Sequence, residues 1–294
     1  MEALRHARLR APALYRPRNL QEAWELKREL GDGAVYVSGS TLLRTQWEAG
    51  TVSMPEALID LRGLEGLSGI AEDGDGIRIG ALTDLSSVRR SALLDRAAPS
   101  LKEAARVIAA PAVRNLATLG GNIASGYGDT LPALLAADAE LEVYDGAFAS
   151  RQCTGDWLAS RWGGRHSSAS IIAGVRISPA EGPEGSCRFE AFRKVGRREA
   201  FTPSLVAVAL SGFIDPDRCL SGVRIAAGGG SGRPHRLAEA EALLEGGVLA
   251  AELLPPVYEA VSGGFETYAD PFATAEYKRK TAGNLIAAEL WKLI

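Results

Sequence analysis

The sequence predicts a mixed α+β chain of two domains, on three observations. Its 294 residues are long for a single hydrophobic core. Segments with helical spacing and short apolar or alternating segments both recur along it. Residues 178–186 (SPAEGPEGS) are rich in residues that break regular structure, which places a boundary between residues 1–180 and residues 187–294.

Residues 19–30 read as a helix: Asn19 can cap it, Ala23, Leu26, Lys27 and Leu30 recur at helical spacing, and Gly31 stops it. Residues 34–37 are a short buried strand, followed at once by Ser38, Gly39, Ser40 and Thr41. Residues 58–61 form a second strand, and residues 70–71 pair with residues 76–80 as a hairpin around Asp73, Gly74 and Asp75. Residues 101–110 read as a helix that Pro111 ends. Residues 131–137 are a helical turn with Pro132 near its start, and residues 141–144 and 171–177 are strands. Past the boundary, residues 187–195 alternate as a strand does. Residues 205–210 are a strand or a helix, which periodicity does not decide at that length. Residues 223–227 are a strand running into residues 228–232, a flexible hairpin or loop, and residues 237–244 and 273–293 read as helices.

Composition narrows the function. Thirty-three Lys and Arg against thirty-six Asp and Glu leave a formal net charge of -3, so a nucleic-acid partner is not expected. Arg193 and Lys194 with Arg197 and Arg198, and the run Lys278, Arg279, Lys280, read as solvated faces. Cys153, Cys187 and Cys219 form no disulfide framework and cannot supply a four-thiolate iron–sulfur site. His6, His166 and His235 lack metal-ligand spacing, so no metal site is expected. No apolar run reaches the roughly 18 residues of a membrane helix. The apolar stretch at residues 11–14 is too short for a secretion signal, so the expected location is the cytoplasm.

Two segments share one chemical logic. Ser38, Gly39, Ser40 and Thr41 follow an apolar segment, and so do Thr118, Leu119, Gly120, Gly121 and Asn122. Each combines small residues, at least one glycine and a hydroxyl. A diphosphate needs several backbone N–H donors converging on it, and glycine lets the backbone come close. Two such loops can grip one pyrophosphate from two sides. Neither the G-x-G-x-x-G nor the G-x-x-x-x-G-K-[ST] pattern occurs, so neither the Rossmann nor the P-loop route is supported.

Residues 114–124 (RNLATLGGNIA) closely resemble the R-N-x-A-T-I-G-G-N-I motif of the FAD subunits of molybdenum hydroxylases, and residues 125–136 (SGYGDTLPALLA) resemble its continuation. Residues 38–43 (SGSTLL) resemble the family's A-G-G-T-x-L pyrophosphate loop, with Ser40 in place of the second glycine. Tyr15, Arg16 and Pro17 with Leu20, Glu22 and Ala23 resemble the family's opening, and residues 58–61 and 79–83 its later strands. Phe189, Phe192 and Lys194 with Arg197 and Arg198 resemble the start of its second domain, and residues 275–280 its terminal-helix motif. Relatives often carry an Asp after the arginine pair, where this chain has Ala200 and Phe201.

The resemblance covers nearly the whole chain. It implies a two-part FAD-binding domain of the PCMH type followed by a smaller α/β C-terminal domain of the CO dehydrogenase flavoprotein kind. It implies an FAD site of Ser38, Gly39, Ser40, Thr41, Leu42, Thr118, Gly120, Gly121, Asn122, Asp129, Leu131, Phe192 and Lys194. In it Asp129 accepts from ribityl hydroxyls, and Lys194 stands near the isoalloxazine, favouring the anionic reduced flavin. Plainer roles stay open. Asp129 suits a cap for a helix starting at Thr130, Phe192 plain core, Lys194 a solvated edge-strand charge, Tyr127 an exposed loop and Tyr277 core packing.

The implied activity is that of an electron-transfer subunit. Molybdenum cofactor and [2Fe-2S] clusters would reside on a large and a small partner subunit, in a dimer of heterotrimers, and NAD would be the acceptor. No proton-transferring residue is assigned. Residues 40–48 look most like the xanthine dehydrogenase branch, which favours purines. Two readings compete: a stand-alone PCMH-type flavin oxidoreductase, and an assembly module that has lost FAD.

Overall fold

In the computed structural model, which describes residues 11–74, 76–198, 202–230 and 232–294, the chain begins with a βαβαβ lobe. It runs β1 (Ala13–Tyr15), α1 (Leu20–Leu30), β2 (Ala34–Val37), α2 (Thr41–Glu48) and β3 (Ala57–Asp60), with β3 between β1 and β2 and all three strands parallel. Parallel neighbours need a crossover, and the two helices supply it. Asn19 opens α1 by accepting from the Glu22 N–H at 2.9 Å. Gly31, at φ 58°, closes it by donating to the Lys27 carbonyl. The buried Lys27 ammonium then donates to the carbonyls of Gly31 and Ala34, at 2.8 and 2.7 Å, and ties helix end to strand start. His6, Asp75, Ala200, Phe201 and Ser231, each part of the sequence reading, lie outside the described residues.

The second lobe is built on an antiparallel sheet. The hairpin β4 (Ile70–Asp73) and β5 (Gly76–Gly80) leads into α3 (Leu85–Arg90), α4 (Leu94–Ala97), α5 (Pro99–Val107), α6 (Pro111–Arg114), α7 (Leu119–Ala124) and α8 (Leu131–Ala136). Then follow β6 (Glu140–Tyr144), β7 (Ala149–Cys153), α9 (Thr154–Trp162) and β8 (Ile171–Ile177), in the spatial order β4-β5-β8-β6-β7. The helix expected at residues 101–110 begins earlier and stops at Val107. Ile108 is extended and Ala109 left-handed at φ 46°, and the Arg114 guanidinium caps both of their carbonyls at 2.8 and 2.5 Å. Pro111 therefore starts a new short helix instead of ending the old one, at a position where its missing N–H costs nothing.

Residues 178–186 carry no helix or strand. Beyond them β9 (Cys187–Gly196), β10 (Ser204–Ile214), β11 (Leu220–Gly229) and β12 (Gly232–Arg236) form an antiparallel meander, backed by α10 (Ala238–Leu244), α11 (Leu254–Gly264) and α12 (Ala275–Trp291). The ambiguous run at residues 205–210 is central strand β10, and it is apolar throughout because both of its faces are covered. Val206, Val208 and Leu210 face the C-terminal helices, whereas Ala207 and Ala209 join Phe192 in the core beneath α5 and α8. The fold is α+β, and one core runs unbroken from the second lobe into the C-terminal sheet.

Candidate functional site

The turn from β2 into α2 and the start of α7 meet at backbone distance. A Cβ on Gly39 would stand 1.9 Å from the Leu116 carbonyl oxygen, so only glycine allows this approach. Ser38 Oγ and Thr118 Oγ1 lie 3.0 Å apart across the contact. Ser40 takes the left-handed conformation (φ 51°, ψ 17°) in the N-cap position of α2, yet its side chain does not cap the helix. Its hydroxyl instead donates weakly to the Ser38 carbonyl at 3.4 Å. The first-turn N–H groups of Thr41, Leu42 and Leu43 have no intrahelical acceptor, and they sit at the positive end of the helix dipole. Beside them Leu42 is 49% exposed.

The second glycine segment, read from sequence as a loop, is the first turn of a capped helix. Thr118 caps α7 by accepting from the Gly121 N–H at 3.1 Å. Leu119 donates to the Thr83 carbonyl at 2.9 Å, Gly120 to Ala81 at 2.7 Å and Asn122 to Thr118 at 3.0 Å. A Cβ on Gly120 would fall 2.7 Å from that of Ala81, so Gly120 seats the helix against the end of β5. Gly121 is exposed, facing Thr118 Oγ1 and Ser38 Oγ. Asn122 Oδ1 accepts from the Thr130 N–H (3.2 Å) and hydroxyl (2.6 Å), which folds residues 125–130 back over α7.

That fold carries Asp129 to the C-terminal domain. Its Oδ2 lies 2.8 Å from Lys194 Nζ, and its Oδ1 accepts from the Ser204 hydroxyl at 2.5 Å. Lys194 is no solvated edge charge: its side chain is 3% exposed, and its ammonium also donates to the Val107 and Thr202 carbonyls. Asp129 does not cap α8, whose N-cap position is taken by Thr130 without a side-chain cap bond. Phe192 and Leu131 are buried in the shared core. Tyr127 is exposed, and so is Tyr277, which the sequence assigned to packing. Ser204 went unnoticed in the sequence, because a serine at the head of an apolar run signals nothing until strand register places it.

These residues fit a dinucleotide. The uncapped α2 terminus offers donors and a positive dipole end to a pyrophosphate, and Ser38 on the same turn meets Thr118 and faces exposed Gly121 on the other segment. Asp129 offers acceptor oxygens further along the same loop system. Behind Gly126 the Arg161 guanidinium lies over the Trp157 ring, and burial pushes its pKa down.

Two family models match the chain. The FAD binding domain in molybdopterin dehydrogenase matches residues 8–178, and the CO dehydrogenase flavoprotein C-terminal domain matches residues 190–291. The nicotine 6-hydroxylase medium subunit of Paenarthrobacter nicotinovorans is 29% identical over 272 residues, covering 92% of this chain and 93% of its own. The xanthine dehydrogenase FAD-binding subunit of Escherichia coli O157:H7 is 40% identical over 91 residues, 30% of this chain and 31% of its own. Among solved structures, a carbon monoxide dehydrogenase chain from Hydrogenophaga pseudoflava matches with a TM-score of 0.86 at 25% identity, over 94% of this chain and 95% of that one.

Proposed function

The chain belongs to the FAD-binding subunits of the molybdenum hydroxylase family, and we propose that it holds FAD between the β2–α2 turn, the capped start of α7 and Asp129. The observation that carries this is the open N-terminus of α2, set against Thr118 across a backbone contact that only Gly39 permits. Thr41 and Leu42 would donate backbone N–H groups to the pyrophosphate, with Ser38 and Ser40 beside them and Gly121 and the amide of Asn122 lining the other side. Gly120 would hold α7 in place, and Asp129 would accept from ribityl hydroxyls. Leu131 and Phe192 would support the site from the core, and Lys194 would stand behind Asp129.

When bound, FAD would supply electron transfer between iron–sulfur clusters on a small partner subunit and a soluble acceptor such as NAD. Molybdenum cofactor would reside on a large partner subunit, the whole forming a dimer of heterotrimers in the cytoplasm. Purine oxidation is the favoured overall reaction, supported by the likeness of residues 40–48 to the xanthine dehydrogenase branch and by the partial match to such a subunit. Among the described residues no helix is long and apolar enough to cross a membrane.

The visible spectrum of the purified chain tests the cofactor. Bands near roughly 370 and 450 nm are expected from oxidised flavin; a colourless protein that takes up no added FAD overturns the reading. Co-purification with two further chains, one absorbing as an iron–sulfur protein, tests the assembly. Turnover of a small substrate by the isolated chain would instead favour a stand-alone oxidoreductase.

A further inference from the structure

We propose that Lys194 and Ser204 are positioning residues for Asp129, so that the C-terminal domain governs FAD retention by aiming a carboxylate of the N-terminal domain. In this arrangement Lys194 does not act as a charge on the flavin ring. The proposal rests on the FAD reading and deepens it.

The hydrogen-bond inventory comes first. An ammonium has three donors; that of Lys194 donates to the Val107 carbonyl at 3.2 Å and the Thr202 carbonyl at 3.1 Å, and it forms an ion pair with Asp129 Oδ2 at 2.8 Å. Its side chain is 3% exposed, so the charge is turned into the protein and away from a ring. Asp129 differs. An ionised carboxylate offers about four lone-pair sites, and the C-terminal domain fills one on each oxygen, through Lys194 and through the Ser204 hydroxyl. The side chain keeps 12% of its surface exposed, so the remaining acceptor sites are those a ligand can reach.

The position of Lys194 is fixed independently of any cofactor. Glu190, Phe192 and Lys194 alternate onto the one face of β9 that meets α5. Glu190 Oε1 accepts from the Ser100 N–H at 2.8 Å in the first turn of α5, and Lys194 donates to the Val107 carbonyl at its last residue. An anion thus meets the positive end of the helix and a cation its negative end. The lengths agree: four strand residues span about 13 Å, and nine helical residues about 13.5 Å. Burial pushes the Glu190 pKa up, and the bond to Ser100 and the nearby Arg188 guanidinium oppose this. Ser204 is equally constrained. A Cβ on Gly229, itself at φ 93°, would stand 2.8 Å from Ser204 Oγ, so the end of β11 closes one side of the hydroxyl that donates to Asp129.

A mutant cycle on the full chain tests this, with FAD affinity read by flavin fluorescence, midpoint potential by titration, and thermal unfolding of the FAD-free protein as control. Ser204→Ala should weaken FAD binding by about fivefold, the effect of losing one ordinary hydrogen bond, since it acts only through the aim of the carboxylate. Lys194→Met should weaken it by about tenfold or more, since it leaves a mostly buried carboxylate uncompensated. Combined with Asp129→Asn, neither should weaken binding beyond Asp129→Asn alone, because both act through that carboxylate. Adding Lys194→Met to Asp129→Asn should also leave the midpoint potential where Asp129→Asn put it. Additive losses in affinity, or a potential that moves again on removal of Lys194, would overturn the proposal. If Lys194→Met does not fold, the Ser204 half of the cycle decides the matter alone. A wild-type chain with no affinity for FAD sinks the cofactor reading itself, whereas wild-type affinity with additive variants sinks only the positioning roles.

Discussion

The two glycine segments look alike in sequence and do opposite things in the structure. The turn at residues 38–41 leaves its helix open: the N-cap side chain makes no cap bond, and the first-turn N–H groups of α2 have no intrahelical acceptor. The segment at residues 118–122 closes its helix with Thr118 and commits the N–H groups of Leu119, Gly120 and Asn122 to carbonyls. One leaves its donors uncommitted; the other spends its donors on the protein's own carbonyls. A glycine in a phosphate-binding pattern can therefore act as scaffold, and only the hydrogen-bond partners of its N–H reveal which.

The largest effect should come from Gly39, where the two segments touch. Gly39→Ala puts a methyl group 1.9 Å from the Leu116 oxygen, where backbone meets backbone and no side chain can yield. The turn must shift, with a stability loss of about 3 kcal/mol and an FAD affinity reduced by about a hundredfold or more, read by calorimetry and flavin fluorescence. An alanine variant that binds FAD as wild type does would show that the contact does not shape the groove.

Gly120→Ala should show the reverse balance. Its methyl group meets Ala81 Cβ at 2.7 Å, and the N–H it carries already belongs to the Ala81 carbonyl. A loss of about 2 kcal/mol of stability is expected, with FAD affinity nearly unchanged in the molecules that remain folded. A bulky replacement such as Gly120→Phe should displace α7 and abolish FAD retention. If Gly120→Ala struck affinity and spared stability, Gly120 would be a ligand contact after all, and the contrast between the segments would fail.

Much of this was legible in the sequence. Asn19 with Gly31 marked α1 at both ends, the apolar run at residues 34–37 was β2, and the composition of residues 178–186 marked a segment without helix or strand. The motif pair also pointed to the two segments that meet. Partnership across the chain was not legible. Phe192 reads as core, as it is, but Lys194 looks like a solvated charge on an edge strand until α5 is laid over it. Ser204 gains meaning only when the register of β10 sets it against Asp129. Pro111 reads as a stop because a local rule cannot see Arg114 capping the carbonyls before it.

A smaller effect isolates the cap. Thr118→Ala removes the acceptor for the Gly121 N–H and the hydroxyl facing Ser38. A loss of about 1 kcal/mol is expected from the cap, visible as a melting point lower by roughly 3 °C. FAD affinity should fall only modestly, as Thr118 Oγ1 is shared with the protein's own backbone. A large drop in affinity with an unchanged melting point would move Thr118 from scaffold to ligand.

The smallest effect is the most discriminating, because two terms oppose each other at Ser40. A non-glycine residue in the left-handed region costs roughly 1–2 kcal/mol, and Ser40 stands there at φ 51°. Ser40→Gly relieves that strain but adds backbone freedom to the unfolded chain, worth about 0.5–1 kcal/mol the other way. The expected net is a stabilisation below about 1 kcal/mol. Affinity then separates the roles of the turn. If the backbone donors of α2 hold the pyrophosphate, Ser40→Gly should bind FAD as well as the wild type, because those N–H groups are untouched. If the hydroxyl of Ser40 swings from its 3.4 Å contact with the Ser38 carbonyl to donate to the ligand, the variant should be more stable and bind FAD about fivefold less tightly. Stability and affinity moving in opposite directions would mean that the serine stands in a glycine's conformation for the sake of its hydroxyl.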